Sequence, residues 1–295
     1  MATVQRQRRP KKKTAAKPTA ASSGTPRRKK KTTKKPKPTP SGGKGFLGKS
    51  ALQMVIYGPP GVGKTDFGSR FPKVGFIIDP QEEGIRILSE YGQCPAPIFV
   101  EEASDFETLL ELAEDVAAGS YDVETIVFDS LTGMEKLCFH YHCREYFEDD
   151  WTAKGFYSYQ QGPKNAAKVD WPRFLDALDA IRRAGINVLL LAHSTVKTYS
   201  NPEGPDYDRF IPYLDKETWQ QTHRWAKAVL FYNYHVDVDK KGPRNKAKME
   251  TEERFVYAEW SPAYDAKNQY GLPALIETGG SGQEAFENFR DAMKG

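Results

Sequence analysis

Residues 58–65 have the spacing of a phosphate-binding loop. They read Gly58-Pro59-Pro60-Gly61-Val62-Gly63-Lys64-Thr65 and match G-x-x-x-x-G-K-[ST] at every specified position. Glycines let the backbone pass close to phosphate groups, with its N–H groups pointing inward. Lys64 is expected to contact the β- and γ-phosphates, and the Thr65 hydroxyl to bind Mg²⁺. The segment predicts a nucleotide site that extends through Asp66, the next residue of the following helix.

A carboxylate that follows an apolar run is the second candidate for the site. Residues 124–128 (ETIVF) are typical of a buried strand, and Asp129 and Ser130 come directly after them. A carboxylate at the tip of a strand beside the loop strand can hold Mg²⁺. An aspartate here is also common as a helix N-cap. Given the phosphate-binding loop, we predict that Asp129 is the Mg²⁺ ligand.

Hydrolysis also needs a group that orients the attacking water, and two segments offer one. The strand predicted at 74–78 is followed by Asp79-Pro80-Gln81-Glu82-Glu83, where a glutamate can act as general base. We expect Glu82 rather than Glu83 in this role, although an exposed acidic turn is the alternative. His193 follows the apolar strand at 186–192, where a polar side chain can sense the γ-phosphate.

The elements that position these residues alternate along the chain. Continuous apolar runs at 52–57, 74–78, 98–101, 124–128 and 186–192 predict strands, with late strands at 228–232 and 253–259. Helices are predicted at 64–70, 106–118 (capped by Ser104), 131–147, 171–184 and 284–293. Residues 148–170 show no clear period, and residues 195–222 are predicted to be a long loop. The pattern predicts an α/β fold with a mainly parallel sheet and helices on both faces.

These features together resemble the RecA-like ATPases, and more narrowly the core-only RecA-like ATP-binding proteins of bacteriophages that include single-strand annealing proteins. The resemblance covers about residues 48–260. It implies a RecA-like P-loop NTPase core with ATP and Mg²⁺ as cofactors, Lys64 and Thr65 at the phosphates, and Asp129 at Mg²⁺. It further implies Glu82 or Glu83 as catalytic base and His193 as a switch. Residues 80 and 81 separate Asp79 from the glutamates, a departure from the family that leaves the choice between them open.

Charge is divided unevenly along the chain. Sixteen of the 43 basic residues and none of the 39 acidic residues lie in residues 1–44, so the remaining 27 basic residues leave residues 45–295 with a net charge of −12. Residues 1–44 are predicted to be a disordered basic arm that contacts nucleic acid, and residues 45–295 to form the ATP-binding domain. A solubilising tail is the alternative for the arm.

Two segments of the predicted domain combine cations with aromatic rings, which suits single-stranded DNA. Residues 151–168 contain Lys154, Lys164, Lys168, Phe156, Tyr157 and Tyr159, and residues 197–213 contain Lys197, Tyr199, Tyr207, Arg209, Phe210 and Tyr213. Packing of these rings on the core is the alternative. RNA is the alternative to DNA as partner, and a second copy of the chain in a homo-oligomer is a further candidate.

The remaining sequence features restrict the class of protein. Three cysteines do not make a disulfide framework, and no apolar stretch approaches a membrane span, so we expect a cytoplasmic protein. A zinc site is disfavoured, since only Cys138 and His142 share a helix face. Arg224 and Lys227 are weaker candidates for cations that act on a neighbouring subunit.

The predicted function is a Mg²⁺-dependent ATPase that acts on single-stranded DNA in recombination or annealing. The alternatives are a nucleotide-gated DNA-binding, replication or packaging accessory module with little turnover, and an AAA+ motor. The AAA+ alternative is disfavoured because Ser130 occupies the position where such motors normally carry a glutamate.

Overall fold

The computed structural model describes residues 45–234, 237–239, 246–248 and 253–295. The predicted basic arm, residues 1–44, lies outside the described residues. Among the described residues, no helix has the length and apolar character needed to cross a membrane.

The centre of the fold is a β-sheet that contains ten strands of the described part of the chain. A separate antiparallel pair is formed by β8 and β9. In chain order the strands are β1 Gln53–Gly58, β2 Val74–Ile78, β3 Val100–Glu102, β4 Thr125–Asp129, β5 Asn187–Tyr199, β6 Tyr207–Pro212, β7 Ala228–Tyr234, β8 Asp237–Asp239, β9 Lys246–Lys248, β10 Arg254–Tyr257, β11 Lys267–Asn268 and β12 Leu275–Gly279.

The strand order of the main path is β12-β10-β7-β1-β5-β4-β2-β3, with β6 paired to β5 and β11 to β7. All pairs from β7 to β3 along this path are parallel, and β10 and β12 extend the sheet in antiparallel fashion. The expectation that the Asp129 strand lies beside the loop strand is wrong, since β5 lies between β4 and β1. Buried parallel strands look alike in sequence, so their order is not readable from their apolar runs.

Helices cover both faces of this sheet, which confirms the predicted α/β architecture. They are α1 Lys64–Ser69, α2 Gly84–Glu90, α3 Phe106–Ala117, α4 Leu131–Phe147, α5 Gln161–Val169, α6 Trp171–Arg183, α7 Lys216–Trp225 and α8 Gly282–Ala292. Alternate residues of β1 point to opposite faces. Val55 and Tyr57 pack in the core beneath α3, α4 and α6, whereas Met54 and Ile56 pack beneath α1 and α8.

Local sequence signals explain where several helices begin. Asp105 caps α3 by accepting a hydrogen bond from the Thr108 N–H at 2.7 Å, so the predicted cap at Ser104 is wrong by one residue. Ser281 and Glu284 form a reciprocal capping box at the start of α8. In each case a short oxygen acceptor satisfies N–H groups of the first turn that have no partner within the helix.

The segment predicted as a long loop, residues 195–222, is mostly regular structure. Strand β5 continues to Tyr199 and turns back through β6 as an antiparallel hairpin, and α7 follows. Residues 194–199 (STVKTY) and 207–212 (YDRFIP) mix polar and apolar side chains and contain no long apolar run. Only the parallel part of β5 is buried in the sheet, so the apolar run predicted only that part.

Residues 148–170 also gain structure, in the form of a short 3₁₀ turn and α5. Phe156 is fully buried against Phe139, Phe147 and Trp151. The expectation that Phe156 stacks nucleic-acid bases is therefore wrong, because a ring without exposed surface cannot stack on a ligand. Tyr159, by contrast, is 90% exposed.

Candidate nucleotide-binding site

The phosphate-binding loop joins the carboxyl end of β1 to the amino end of α1. Gly61 and Gly63 have φ angles of +77° and +100°, a backbone conformation that residues other than glycine rarely adopt. A Cβ atom at Gly58 would overlap the carbonyl oxygen of Tyr232 on the neighbouring strand β7. The glycines of the motif therefore satisfy a backbone path that the surrounding strands impose.

Lys64 is buried at the first position of α1. Its Nζ donates hydrogen bonds to the carbonyl oxygens of Gly58 and Pro59, each at 3.0 Å. Burial lowers the pKa of Lys64, while the carboxylates of Asp129 and Glu82 oppose this shift. The ammonium is thus held over the loop, with two carboxylates near enough to influence its charge.

Asp129 at the end of β4 and Thr65 in α1 are in contact, although β5 lies between β4 and the loop strand β1. The Thr65 hydroxyl donates to Asp129 Oδ2 at 2.7 Å. Mg²⁺ prefers oxygen ligands and commonly takes one or two from the protein with the rest from water and substrate phosphates. The hydroxyl and the carboxylate fit this donor set. The structure therefore brings the two predicted Mg²⁺ ligands together.

The electrostatics of Asp129 follow from its position. Burial raises its pKa to about 6, the hydrogen bond from Thr65 opposes the shift, and the negative charge of Glu82 adds to it. A divalent cation bound there would favour the charged carboxylate. Binding of Mg²⁺ at this pair is expected to weaken as the pH falls below about 6, because protonation removes the ligand charge.

An Asp129→Asn variant is expected to be more stable than the wild type at pH 7.5 without Mg²⁺. The raised pKa means that the folded state binds a proton more tightly than the unfolded state, so the cost of ionising Asp129 grows as the pH rises from about 4 to 6. Removing that cost is expected to raise the free energy of unfolding by up to about 3 kcal/mol. Urea denaturation at pH 7.5 and pH 4 tests this, and the gain should disappear at pH 4. A variant that is less stable at both values would contradict it.

Asp79 directly follows β2, and the sequence did not indicate any further role for it. Its Oδ2 accepts hydrogen bonds from the backbone N–H and the hydroxyl of Ser130, both at 3.1 Å. Its own N–H donates to the Asp129 carbonyl at 3.1 Å. The buried Asp79 carboxylate therefore fixes the turn that carries Asp129. The sequence signal that could have indicated this role is an aspartate directly after one predicted strand and a serine directly after Asp129, at the end of another.

Glu82 and His193 form the third part of the site. Glu82 follows β2, and His193 lies opposite Gly58 where β5 pairs with β1. The Nε2 atom of His193 lies 2.8 Å from Glu82 Oε1, and both side chains are about 30% exposed. The predicted base and the predicted sensor are therefore in direct contact. His193 is not at a strand tip as predicted, because β5 continues beyond it.

Glu83 and Asp66 lie less favourably for the roles predicted from sequence. Glu83 is exposed at the start of α2, and no hydrogen bond or ion pair of its side chain to the described residues is observed. The Asp66 carboxylate forms an ion pair with Arg70 at 2.7 Å and accepts from the Gly282 N–H at 2.9 Å. The Asp66 side chain thus links α1 to α8.

Arg254 is a contact of the loop that sequence reasoning missed. It lies on β10, some 190 residues after the motif, and its Nη1 donates to the Val62 carbonyl at 3.0 Å. Its Nη2 donates to the Gly280 carbonyl. A Cβ atom at Gly63 would overlap this guanidinium. Arg254 therefore supports the loop from the side of β10.

Replacing Arg254 by alanine is expected to raise the KM for ATP about tenfold with a smaller change in kcat. The variant loses a charged hydrogen bond worth about 1.5 kcal/mol, which corresponds to about tenfold in affinity. Without it the Val62 carbonyl is free and the loop is less ordered before ATP binds. Arg254→Lys should rescue little, because an ammonium lacks the planar fork that reaches two carbonyl groups. Steady-state kinetics over a range of ATP concentrations check this. An unchanged KM in both variants would remove Arg254 from the site.

The other predicted residues are placed away from this cluster. His142 Nδ1 lies 2.6 Å from Asp170 Oδ2 in the core, and Cys138 is buried nearby. Lys227 precedes β7, and its N–H donates to the carbonyl of Gln53, the first residue of β1. Lys227 therefore lies at the amino ends of the parallel strands, opposite the end that carries the loop. Arg224 precedes it at the end of α7. Their action on a neighbouring subunit stays a prediction.

A family model described as an AAA domain matches residues 50–270, which include Lys64, Glu82, Asp129, His193 and Arg254. No curated protein matches the chain.

Proposed function

The chain belongs to a family of AAA domains, and from this we propose that it binds ATP with Mg²⁺ at residues 58–65 and hydrolyses the bond between the β- and γ-phosphates. The observation that carries the proposal is the hydrogen bond between Thr65 and Asp129 at 2.7 Å. It supports a Mg²⁺ site directly beside the phosphate-binding loop.

Each side chain of the cluster has a task in this proposal. Lys64 binds the β- and γ-phosphates and stabilises charge that develops on them during transfer. Thr65 and Asp129 would hold Mg²⁺, which would supply positive charge to offset the charge of the phosphate oxygens. Glu82 accepts the proton of the attacking water, and His193 orients Glu82 through their contact. Asp79 and Arg254 position the backbone on the two sides of the loop.

We further propose that hydrolysis is coupled to single-stranded DNA, as in the phage-type RecA-like annealing and recombination proteins that the sequence resembles. The hairpin of β5 and β6 supports this, since it begins directly after His193, and the N–H of Tyr213 donates to the His193 carbonyl at 2.8 Å. Tyr199, Tyr213 and Tyr159 are exposed enough to stack on bases. The basic arm adds attraction of a salt-dependent kind.

The test is ATP turnover by the full chain with Mg²⁺, measured with and without a single-stranded oligonucleotide. Turnover that requires Mg²⁺ and rises with the oligonucleotide is the expected result. A turnover rate that does not change when the oligonucleotide is added would indicate an ATPase without the proposed DNA coupling. Tight ATP binding without turnover under either condition would instead favour a nucleotide-gated binding module.

A further inference from the structure

A cavity of about 760 Å³ lies between the β5–β6 hairpin, helix α7 and the segment that precedes β11. Its volume is within the range of about 300–1,000 Å³ typical of small-molecule sites. The residues around it include the cationic or aromatic side chains of Lys197, Arg209, Lys216, Trp219, Trp260 and Lys267. Of these residues, Lys197 and Arg209 belong to the hairpin segment that the sequence singled out.

The positive charges of the cavity fall into two groups. Arg209 is neutralised by Asp265, whose carboxylate lies 3.2 Å from it and also accepts from the Trp219 indole N–H at 3.0 Å. Lys267 donates to backbone carbonyls at the end of α7. Lys197 and Lys216 are exposed, and neither forms an ion pair with another described residue. These two lysines are available for an anion.

An exposed aromatic ring lines the same cavity as these lysines. The guanidinium of Arg209 stacks on the Trp260 ring at 5.1 Å, and Trp260 nevertheless remains 57% exposed. A large indole is seldom left this exposed beside a cavity in a monomer. The exposed part of the ring can accept a second planar group, and base–aromatic stacking of this kind does not depend on base identity.

We propose that this cavity binds one nucleotide unit, with the base stacked on Trp260 and the phosphate held by Lys197 and Lys216. The inference rests on the proposed single-strand function and names the groups that would hold one nucleotide of the strand. The carboxylate in the cavity does not oppose the phosphate, because Asp265 is already paired with Arg209 and Trp219. A free mononucleotide shares this chemistry and is separated from a strand by the experiment.

The test is tryptophan fluorescence of the full chain, titrated with a thymidine 20-mer and, separately, with thymidine monophosphate. The basic arm contains no aromatic residue, so its binding does not add tryptophan signal. We expect the 20-mer to quench fluorescence and the quenching to be reduced in Trp260→Phe. Trp260→Ala is expected to weaken binding of the 20-mer about fivefold or more.

The two lysines are tested by salt dependence. The double variant Lys197→Ala/Lys216→Ala is expected to reduce the slope of log affinity against log salt by about 1.4, since each lysine on a single strand contributes about 0.7. Tyr91→Ala and Lys294→Ala remove an exposed ring and an exposed charge elsewhere, and they should change neither quantity.

The outcomes separate this inference from the proposed function. Unchanged quenching, affinity and salt slope in all cavity variants would contradict nucleotide binding in the cavity. If the 20-mer still stimulates ATP turnover in that case, the proposed function stands. Equal affinity for the monophosphate and the 20-mer would support the nucleotide site and assign it to a free mononucleotide. Quenching that depends on Trp260 in a chain without ATP turnover would support the cavity and contradict the ATPase.

Discussion

A Lys64→Ala variant is expected to lose ATP turnover by a factor of about 100 to 1,000, the usual loss when one preorganised donor to transition-state charge is removed. The reason lies in the burial of the ammonium. Water does not easily replace a charge that two loop carbonyls already hold in place at 3.0 Å. The neighbouring carboxylates of Asp129 and Glu82 would also lose the cation that opposes their charge. Steady-state turnover and equilibrium binding of ATP measure both effects.

A control is needed because Lys64 is buried and its removal changes packing. Lys64→Arg keeps the charge but places a larger, planar group in the loop, and it should also fail. Lys73→Ala removes an exposed lysine whose partners are Asp122 and Glu124, so it should leave turnover unchanged. Thermal unfolding of all three variants separates loss of the site from loss of the fold. Full turnover in folded Lys64→Ala would remove the phosphate-binding loop from the proposed reaction.

A Glu82→Gln variant is expected to bind ATP with near wild-type affinity and to lose turnover by a factor of about 100 to 10,000, the range typical of a general base. The amide keeps the size of the side chain and can still contact His193 Nε2, but it cannot accept a proton from water. Binding is expected to persist because Lys64, Thr65 and the loop backbone remain. Pre-steady-state binding of ATP beside steady-state turnover distinguishes the two effects.

Glu83→Gln is the matched control for this prediction. The two glutamates are adjacent in sequence, but only Glu82 contacts His193, and Glu83 is exposed at the start of α2. Turnover of Glu83→Gln should stay within about twofold of the wild type, as expected for an exposed substitution. If instead Glu83→Gln stops turnover and Glu82→Gln does not, the order of the two residues must be reversed.

The local parts of this protein could be predicted from sequence because they are built from consecutive residues. The motif at residues 58–65 specifies a strand, a glycine loop and a helix start in order, so the sequence already places Lys64 and Thr65 at the start of the helix that follows the loop. The apolar runs of β1, β2, β4 and the buried part of β5 likewise identify strands whose side chains must all be covered. The α/β architecture follows from their alternation with helices.

Contacts between distant segments were decided by the tertiary structure. Strand order placed β5 between β1 and β4, which brings His193 opposite Gly58 and within 2.8 Å of Glu82. Arg254 reaches the loop only because β10 pairs with β7, which in turn pairs with β1. Buried strands have interchangeable apolar sequences, so the free energy that selects one order comes from packing of the whole sheet and its helices. The motif predicted where phosphate would bind, whereas packing of the sheet decided which carboxylate, histidine and arginine surround it.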